Sequence, residues 1–390
     1  MLSAPPKIVR IDGFEIGCRL SEPIGNARLM FDARTSLLVA VTADSGEVGW
    51  GETWAFPTAA GTMVRDVFGP MLLGRDATAP WPAWQAMNSR LGYDRRGIST
   101  MAISALDLAL WDLAGRIAGK PVHALLGGAL RETIPAYVSG PFMKPGQNPY
   151  RDYAADVGSY LEAGFRAIKM RMGTEPHADG RLAVQIRRQI GDDIALMVDL
   201  NEGFSVRGAL DIARRLAEAD LVFIEEPIAH DDLPGYRRLS AALPMGLAGG
   251  EALIGLKPCR DFLAAGVLDF LQPDLALCGG ISEGLRIAAL ADAFDVPVVP
   301  HVWGSIVNFH ASLHFAACLP EKRGRLRTPL FEYDPSENPL RTAFGTHPLD
   351  GRGRIAVPDA PGLGVDLSPG RLEPFLNRSW SIEEGPDASL

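Results

Sequence analysis

Three short stretches decide how this chain folds: MVDLN at 197–201, FIEEP at 223–227 and LAGGE at 247–251. Each is an apolar run that ends in or beside a carboxylate, and Asp199, Glu225 and Glu251 follow one another at intervals of 26 residues. That interval accommodates one strand, one helix and two loops, repeated. Strands alternating with helices over ~200 residues predict a (β/α)₈ barrel, with a doubly wound open sheet as the competing topology. In a barrel, equal spacing carries the three side chains to one mouth. Converging carboxylates repel unless a cation lies between them, and three oxygen donors on rigid strands suit a hard divalent ion, Mg²⁺ foremost. A single such acid could be a helix N-cap; three in matched positions are not explained that way.

Outward from this centre, strands are expected at 133–138, 167–172, 195–200, 222–226, 246–250, 270–273, 296–300 and 330–333. Helical periodicity lies between them, as in Ala209, Ile212, Ala213 and Leu216, or Ile287, Leu290, Ala291 and Phe294. The first 130 residues read differently. Strands at 7–16, 29–42 and 48–53 precede a helix with Ile103, Leu106, Leu110 and Leu113 on one face, ending near Gly119. The expected organisation is an α+β domain (1–130), a barrel (131–337) and a Pro- and Gly-rich tail (338–390) that returns toward the first domain.

The chain has 390 residues, 47% of them hydrophobic, enough for two domains with a sizeable core. A net charge of −9 argues against nucleic acid or an anionic membrane as a partner. An anionic small molecule remains compatible, because a bound divalent ion dominates its own site. Cys18, Cys259, Cys278 and Cys318 are scattered without CxxC spacing, which reads as reduced thiols. With no apolar leader in the N-terminal residues and no run of eighteen apolar residues, the expectation is a cytoplasmic protein.

The mouth of a barrel collects function. Lys169 and Arg171 stand two residues apart and share the inward side of the second strand; the bland alternative is a structural ion-pair layer. Asn201 faces inward two residues after Asp199. The same alternation turns Glu226 away, which assigns the metal to Glu225. Asp274 in QPD (272–274) and His301 in PHVWGS (300–305) end adjacent strands. A hydrogen bond between them would fix the imidazole tautomer and raise its basicity, although a lone histidine can also be a satisfied core residue. Glu332 in FEY (331–333) adds one more carboxyl group. Together these groups suit removal of a proton α to a carboxylate, a step that needs both a base and strong stabilisation of negative charge.

The order KxR, VDLN, IEEP, GGE, QPD, PHVWGS and FEY resembles the enolase superfamily, within its mandelate racemase subgroup. AISALDLALWDLAG (102–115) and PVHALLGG (121–128) extend the likeness to nearly the whole chain. The resemblance implies an N-terminal α+β capping domain over a modified TIM-like (β/α)₇β barrel. It makes Asp199, Glu225 and Glu251 the Mg²⁺ ligands and Asp274–His301 the catalytic dyad, and it makes Glu332 the acid that hydrogen-bonds the substrate carboxylate. It also implies that loops 20–28 and 52–60 close over the substrate. Trp54, Phe56 and Trp303 are then candidates for substrate contact beside Asn201, though loop aromatics can equally staple the loop to the barrel. Homo-oligomers from dimer to octamer occur in this subgroup.

One departure matters. Racemases of the subgroup carry KxK, and the second lysine is the base opposite the histidine; here Arg171 stands there. A guanidinium is a poor base at neutral pH, so Arg171 is expected to bind or polarise substrate oxygens. With one competent base, β-elimination of water from an acid sugar (an aldonate or aldarate) to a 2-keto-3-deoxy acid is the expected reaction. The alternative is racemisation or epimerisation of an α-hydroxy acid or amino acid derivative, which requires Lys169 to reach the α-carbon from the other face. Muconate-type cycloisomerisation, generally run with lysines on both faces, and a non-catalytic ligand-binding role are less favoured.

Overall fold

The computed structural model describes residues 4–324, 326 and 328–383; the end of the tail, 384–390, lies outside the described residues. The first domain is built on β1 (Ile8–Gly25), β2 (Met30–Ala43) and β3 (Val48–Thr53), paired antiparallel in that order. β1 is longer than its sequence pattern predicts. What reads as a loop at 20–28 is largely the end of a β1–β2 hairpin arm, with a register shift between Arg19 and Ile24. Helix Ile98–Ala118 lies on this sheet, with Ile103, Leu106, Leu110 and Leu113 buried, and stops at Gly119 in the left-handed region (φ 62°). It approaches β3 so closely that a Cβ on Gly51 would fall 1.8 Å from the Ala105 carbonyl oxygen. Only glycine fits there.

The second domain carries β4 (Thr133–Ser139), β5 (Ala167–Arg171), β6 (Ala195–Asp199), β7 (Phe223–Glu225), β8 (Gly246–Gly249), β9 (Phe270–Leu271) and β10 (Phe331–Tyr333). They form one curled parallel sheet in the order β10-β4-β5-β6-β7-β8-β9. The segment expected as a strand at 296–300 makes only a single bridge, Val298 to Leu271. Pro297 and Pro300 have no N–H to donate and so shorten the ladder there. Counting that segment, eight strand positions alternate with seven helices, from Tyr153–Glu162 to Ile306–Cys318, and β10 has no barrel helix of its own. The barrel is the modified (β/α)₇β form. Amphipathic helices seal its outside: Val206–Leu216 buries Ala209, Ile212, Ala213 and Leu216, and is capped by Ser205 accepting from the Gly208 N–H. In helix Gly280–Asp292 the expected face holds for Ile287 and Ala291, but the helix ends before Phe294, which is exposed.

β11 (Arg354–Ala356) pairs antiparallel with β4, and β12 (Leu376–Glu383) returns to pair antiparallel with β1. The tail thus spans both domains.

Candidate active site

The register of the parallel sheet sets the site. Arg171 pairs with Asp199 and Asp199 with Glu225 across β5, β6 and β7, so three polar strand ends lie side by side. Above them opens a cavity of ≈ 400 Å³, walled by barrel mouth and capping domain together. Arg171, Asn201, Glu202, Glu226, Glu251 and His301 reach it from the barrel. The capping domain supplies the tip of the hairpin arm and the 54–56 loop. Gly25 and Met143 exchange backbone hydrogen bonds of 2.7 and 2.9 Å, which pin the arm to the barrel.

Each predicted metal ligand is held by a different cation. Asp199 accepts from Arg171 Nη1 and from the Asn201 N–H (2.8 Å). Glu225 Oε2 accepts from Lys169 Nζ (2.7 Å) and Gln272 Nε2 (2.6 Å). Glu251 Oε2 lies 3.0 Å from His301 Nε2, without a well-directed hydrogen bond. Among the described residues no three such side chains converge on a common point as a preformed metal centre. The physical reason is repulsion: three buried anions with no ion between them are each drawn to the nearest cation. The donor set nonetheless fits a hard divalent ion. It is all carboxylate oxygen, and the buried oxygens Glu251 Oε2 and Glu226 Oε1 have no hydrogen-bond partner. Burial, above all, pushes Glu251 up, with His301 acting against it.

Glu226 departs from expectation. Strand alternation should turn it away, but β7 ends at Glu225, and Glu226 takes a left-handed backbone (φ 38°) that brings it to the cavity wall. Burial raises its carboxyl well above the usual range, with Glu251, Glu225 and Glu202 adding to the effect. Asn201 (φ 42°) and Glu202 (φ 58°) are turned the same way at the end of β6. Strained backbone at three acid-rich positions of one mouth is a recurrent mark of function.

The dyad is formed. His301 Nδ1 lies 2.7 Å from Asp274 Oδ2, while Asp274 Oδ1 accepts from Asn308 Nδ2 (3.1 Å) and the Ala276 N–H (2.7 Å). Burial works against a charge on His301, but Glu251, Glu332 and Asp274 outweigh it and push the imidazole up to about 10. Lys169 is wholly buried between Glu225 and Glu332 (Oε1, 2.8 Å) and is not part of the cavity wall. Glu332 also lies beneath the cavity, where its Oε2 accepts from the Val302 N–H (2.9 Å). Burial opposes its charge, yet Lys169, His301 and Arg171 hold it well below the ordinary carboxylate range. Arg171 does reach the cavity, with Nη2 donating to Ser139 Oγ (3.0 Å).

Trp54 is placed differently from a simple substrate contact. Its Nε1–H donates to Asp274 Oδ2 (2.9 Å), so its polar edge serves the dyad and only its ring faces the cavity. Trp303 lines the cavity too, beneath the Arg34 guanidinium at 3.8 Å. Sequence reasoning missed Gln272, whose signal was its place two residues before Asp274 on the same strand end. It also missed Glu202, which ties Arg28 of the capping arm to His230 of the barrel.

Comparison with known proteins agrees with this architecture. Residues 14–127 match the family model of the mandelate racemase / muconate lactonizing enzyme N-terminal domain, and residues 152–371 match the enolase C-terminal domain-like model. The chain is 36% identical to the D-galactarolactone cycloisomerase of Agrobacterium fabrum, over 92% of this chain and 95% of that one. It is 31% identical to the arabinonate dehydratase of Saccharolobus solfataricus, over 87% of this chain and 90% of the other. Among solved structures, a racemase from Streptomyces coelicolor with bound magnesium superposes with a TM-score of 0.84 at 31% identity, covering 95% of this chain and 99% of that one.

Proposed function

Because this chain belongs to the mandelate racemase / muconate lactonizing enzyme family of the enolase superfamily, we propose that it removes the α-proton of an acid sugar and expels the β-oxygen as water. The product is a 2-keto-3-deoxy acid. One observation supports this reading: among His301, Lys169 and Arg171, the positions where the subgroup places its bases, only His301 both reaches the cavity and can act as a base. His301 has Asp274 behind it, Arg171 occupies the opposite position, and Lys169 is buried away between two carboxylates. A 1,1-proton transfer needs a second base, so racemisation is disfavoured.

Asp199, Glu225 and Glu251 would hold the divalent ion, Mg²⁺. When bound, it supplies Lewis-acid stabilisation of the negative charge that develops on the substrate carboxylate. The chain's own groups do the rest. With Glu251 given over to the ion, His301 would lose the largest charge that holds it protonated, and the neutral imidazole takes the α-proton at Nε2. The C–H electron pair forms the new double bond as the β C–O bond breaks, and the proton on Nε2 passes to the departing hydroxyl to make water. The enol then ketonises. Arg171 and Asn201 are placed to hold substrate oxygens, and Lys169 stabilises the acid cluster from below.

A second reading rests on the relative named as a cycloisomerase. If the departing oxygen belongs to a ring of the substrate, the same proton transfer opens that ring and yields an isomer.

The test is a panel of aldonic acids, aldaric acids and their lactones with Mg²⁺ in D₂O, followed by semicarbazone detection, mass spectrometry and NMR. A keto product lighter than its substrate by one water supports dehydration. A keto product isomeric with its lactone, apart from the deuterium taken up on ketonisation, supports ring opening. Deuterium exchange or inversion with no keto product would sink elimination and require a second base.

A further inference from the structure

The two sides of the cavity differ in chemistry. The barrel side is charged; the capping side is carbon, with Leu29, Phe31, Phe56 and Met101 and the ring face of Trp54 turned to the same space, and Phe142 closing the wall. Trp54 has spent its N–H on Asp274, and Asn26 Oδ1 already accepts the N–H groups of Arg28 and Leu29. Among the described residues, the cations lining the cavity divide in two: Arg171 and His301 stand at the barrel mouth beside the acids that would hold the ion, while Arg28 and His230, away from it, both pair with Glu202. One further acid, Glu226, lines the same space.

Resting on the acid-sugar reading above, we infer that the substrate is a monocarboxylate whose far end is poor in charge and hydroxyl groups: a deoxy or ring-closed acid sugar, not an open-chain aldarate. Its one carboxylate belongs at the charged barrel mouth. A second carboxylate at the far end would be set against aromatic rings, where the nearby cations Arg28 and His230 are already engaged with Glu202. A deoxy methyl or the C–H face of a ring gains by burial against the same wall.

The experiment compares three matched ligands, a hexonate, its 6-deoxy analogue and the aldarate of the same configuration, with the Mg²⁺-loaded protein. Turnover is measured on the wild type, and binding by calorimetry on His301→Asn, so that affinity is read without chemistry. The aldarate is expected to bind at least ~10-fold more weakly than the 6-deoxy acid, with kcat/KM in the same order. Leu29→Arg, at a position 59% exposed and thus safe for folding, should narrow or reverse that gap by supplying a cation. Equal or tighter aldarate binding overturns the inference and leaves the elimination reading intact. If no acid sugar binds or turns over, the reading beneath it fails, and the inference with it.

Discussion

This molecule buries two sets of carboxylates, and they are treated in opposite ways. At the seam between the domains, Glu52 accepts four hydrogen bonds of 2.6–2.8 Å, from Ser36 Oγ, the Ser305 N–H and Oγ, and the Asn308 N–H. Asp107 accepts from the Ser282 N–H (2.9 Å) and Oγ (2.6 Å), and Asp112 from the N–H groups of Trp50 and Leu363 and from Arg116. Every donor set ties the first domain to the barrel or the tail. At the mouth, by contrast, Glu251 and Glu226 each keep an oxygen with no hydrogen bond. Both sets lose hydration; the seam replaces it with fixed donors for each of these acids, while the mouth leaves Glu251 and Glu226 short. A satisfied buried acid is an anchor, and an unsatisfied one is a site waiting for a ligand.

The largest effect should come from the mouth. His301→Asn removes the base of the dyad and should lower turnover by ~10³-fold or more, while calorimetric Mg²⁺ affinity changes little. Retained turnover would remove the Asp274–His301 pair from the mechanism.

Stability should show the reverse pattern. Glu52→Ala strands buried donors on Ser36, Ser305 and Asn308 and should cost about 3 kcal/mol or more. Glu226→Gln replaces a buried acid that has an unpartnered oxygen and acidic neighbours with a neutral amide, so in chelator it should cost nothing or raise the urea midpoint. If the two substitutions destabilise equally, the contrast between anchor and site is wrong.

Asp107 gives the contrast a pH signature. Burial raises it from 3.8 to about 7, against the hydrogen bonds from Ser282. Its folded-state value lies above its unfolded one, so the fold holds this proton more tightly than the open chain does. Stability from this group is full below 3.8, declines as pH rises toward 7 and is flat beyond it. Urea unfolding on either side of that window should show the decline, and Asp107→Asn should flatten it. An unchanged slope in the variant would assign the decline elsewhere.

Much of this was legible in the sequence because strand ends repeat. Asp199 and Glu225 end their strands, and Asp274 and His301 fall three residues past Leu271 and the Val298 bridge, close to where periodicity places them. What was hidden has two physical sources. Local backbone strain defeats alternation, as where the strand stops before Glu226, and prolines at 297 and 300 shorten to one bridge a ladder that apolar patterning predicts. Long-range polar contacts leave no periodic trace: Glu52 meets Ser305, and Trp54 meets Asp274, across more than 200 residues of chain.

Trp54 joins the two regions and gives the smallest and most discriminating prediction. It stands two residues after Glu52, at the point where the anchored seam reaches the mouth. Its indole N–H shares Asp274 Oδ2 with His301 Nδ1, so it steadies the acceptor that orients the base and never needs to touch the substrate's polar groups. A hydrogen bond to a charged group contributes about 1.5–3 kcal/mol, and Asp274 keeps two donors to Oδ1 without it. Trp54→Phe should therefore lower kcat by roughly 10-fold and leave KM close to the wild-type value, because the ring face survives. Trp54→His, which keeps an N–H, should recover part of the loss. A rise in KM with kcat unchanged would instead make Trp54 a substrate contact. The seam would then end at Glu52, and the capping domain would act on the substrate alone, without a hand in the dyad.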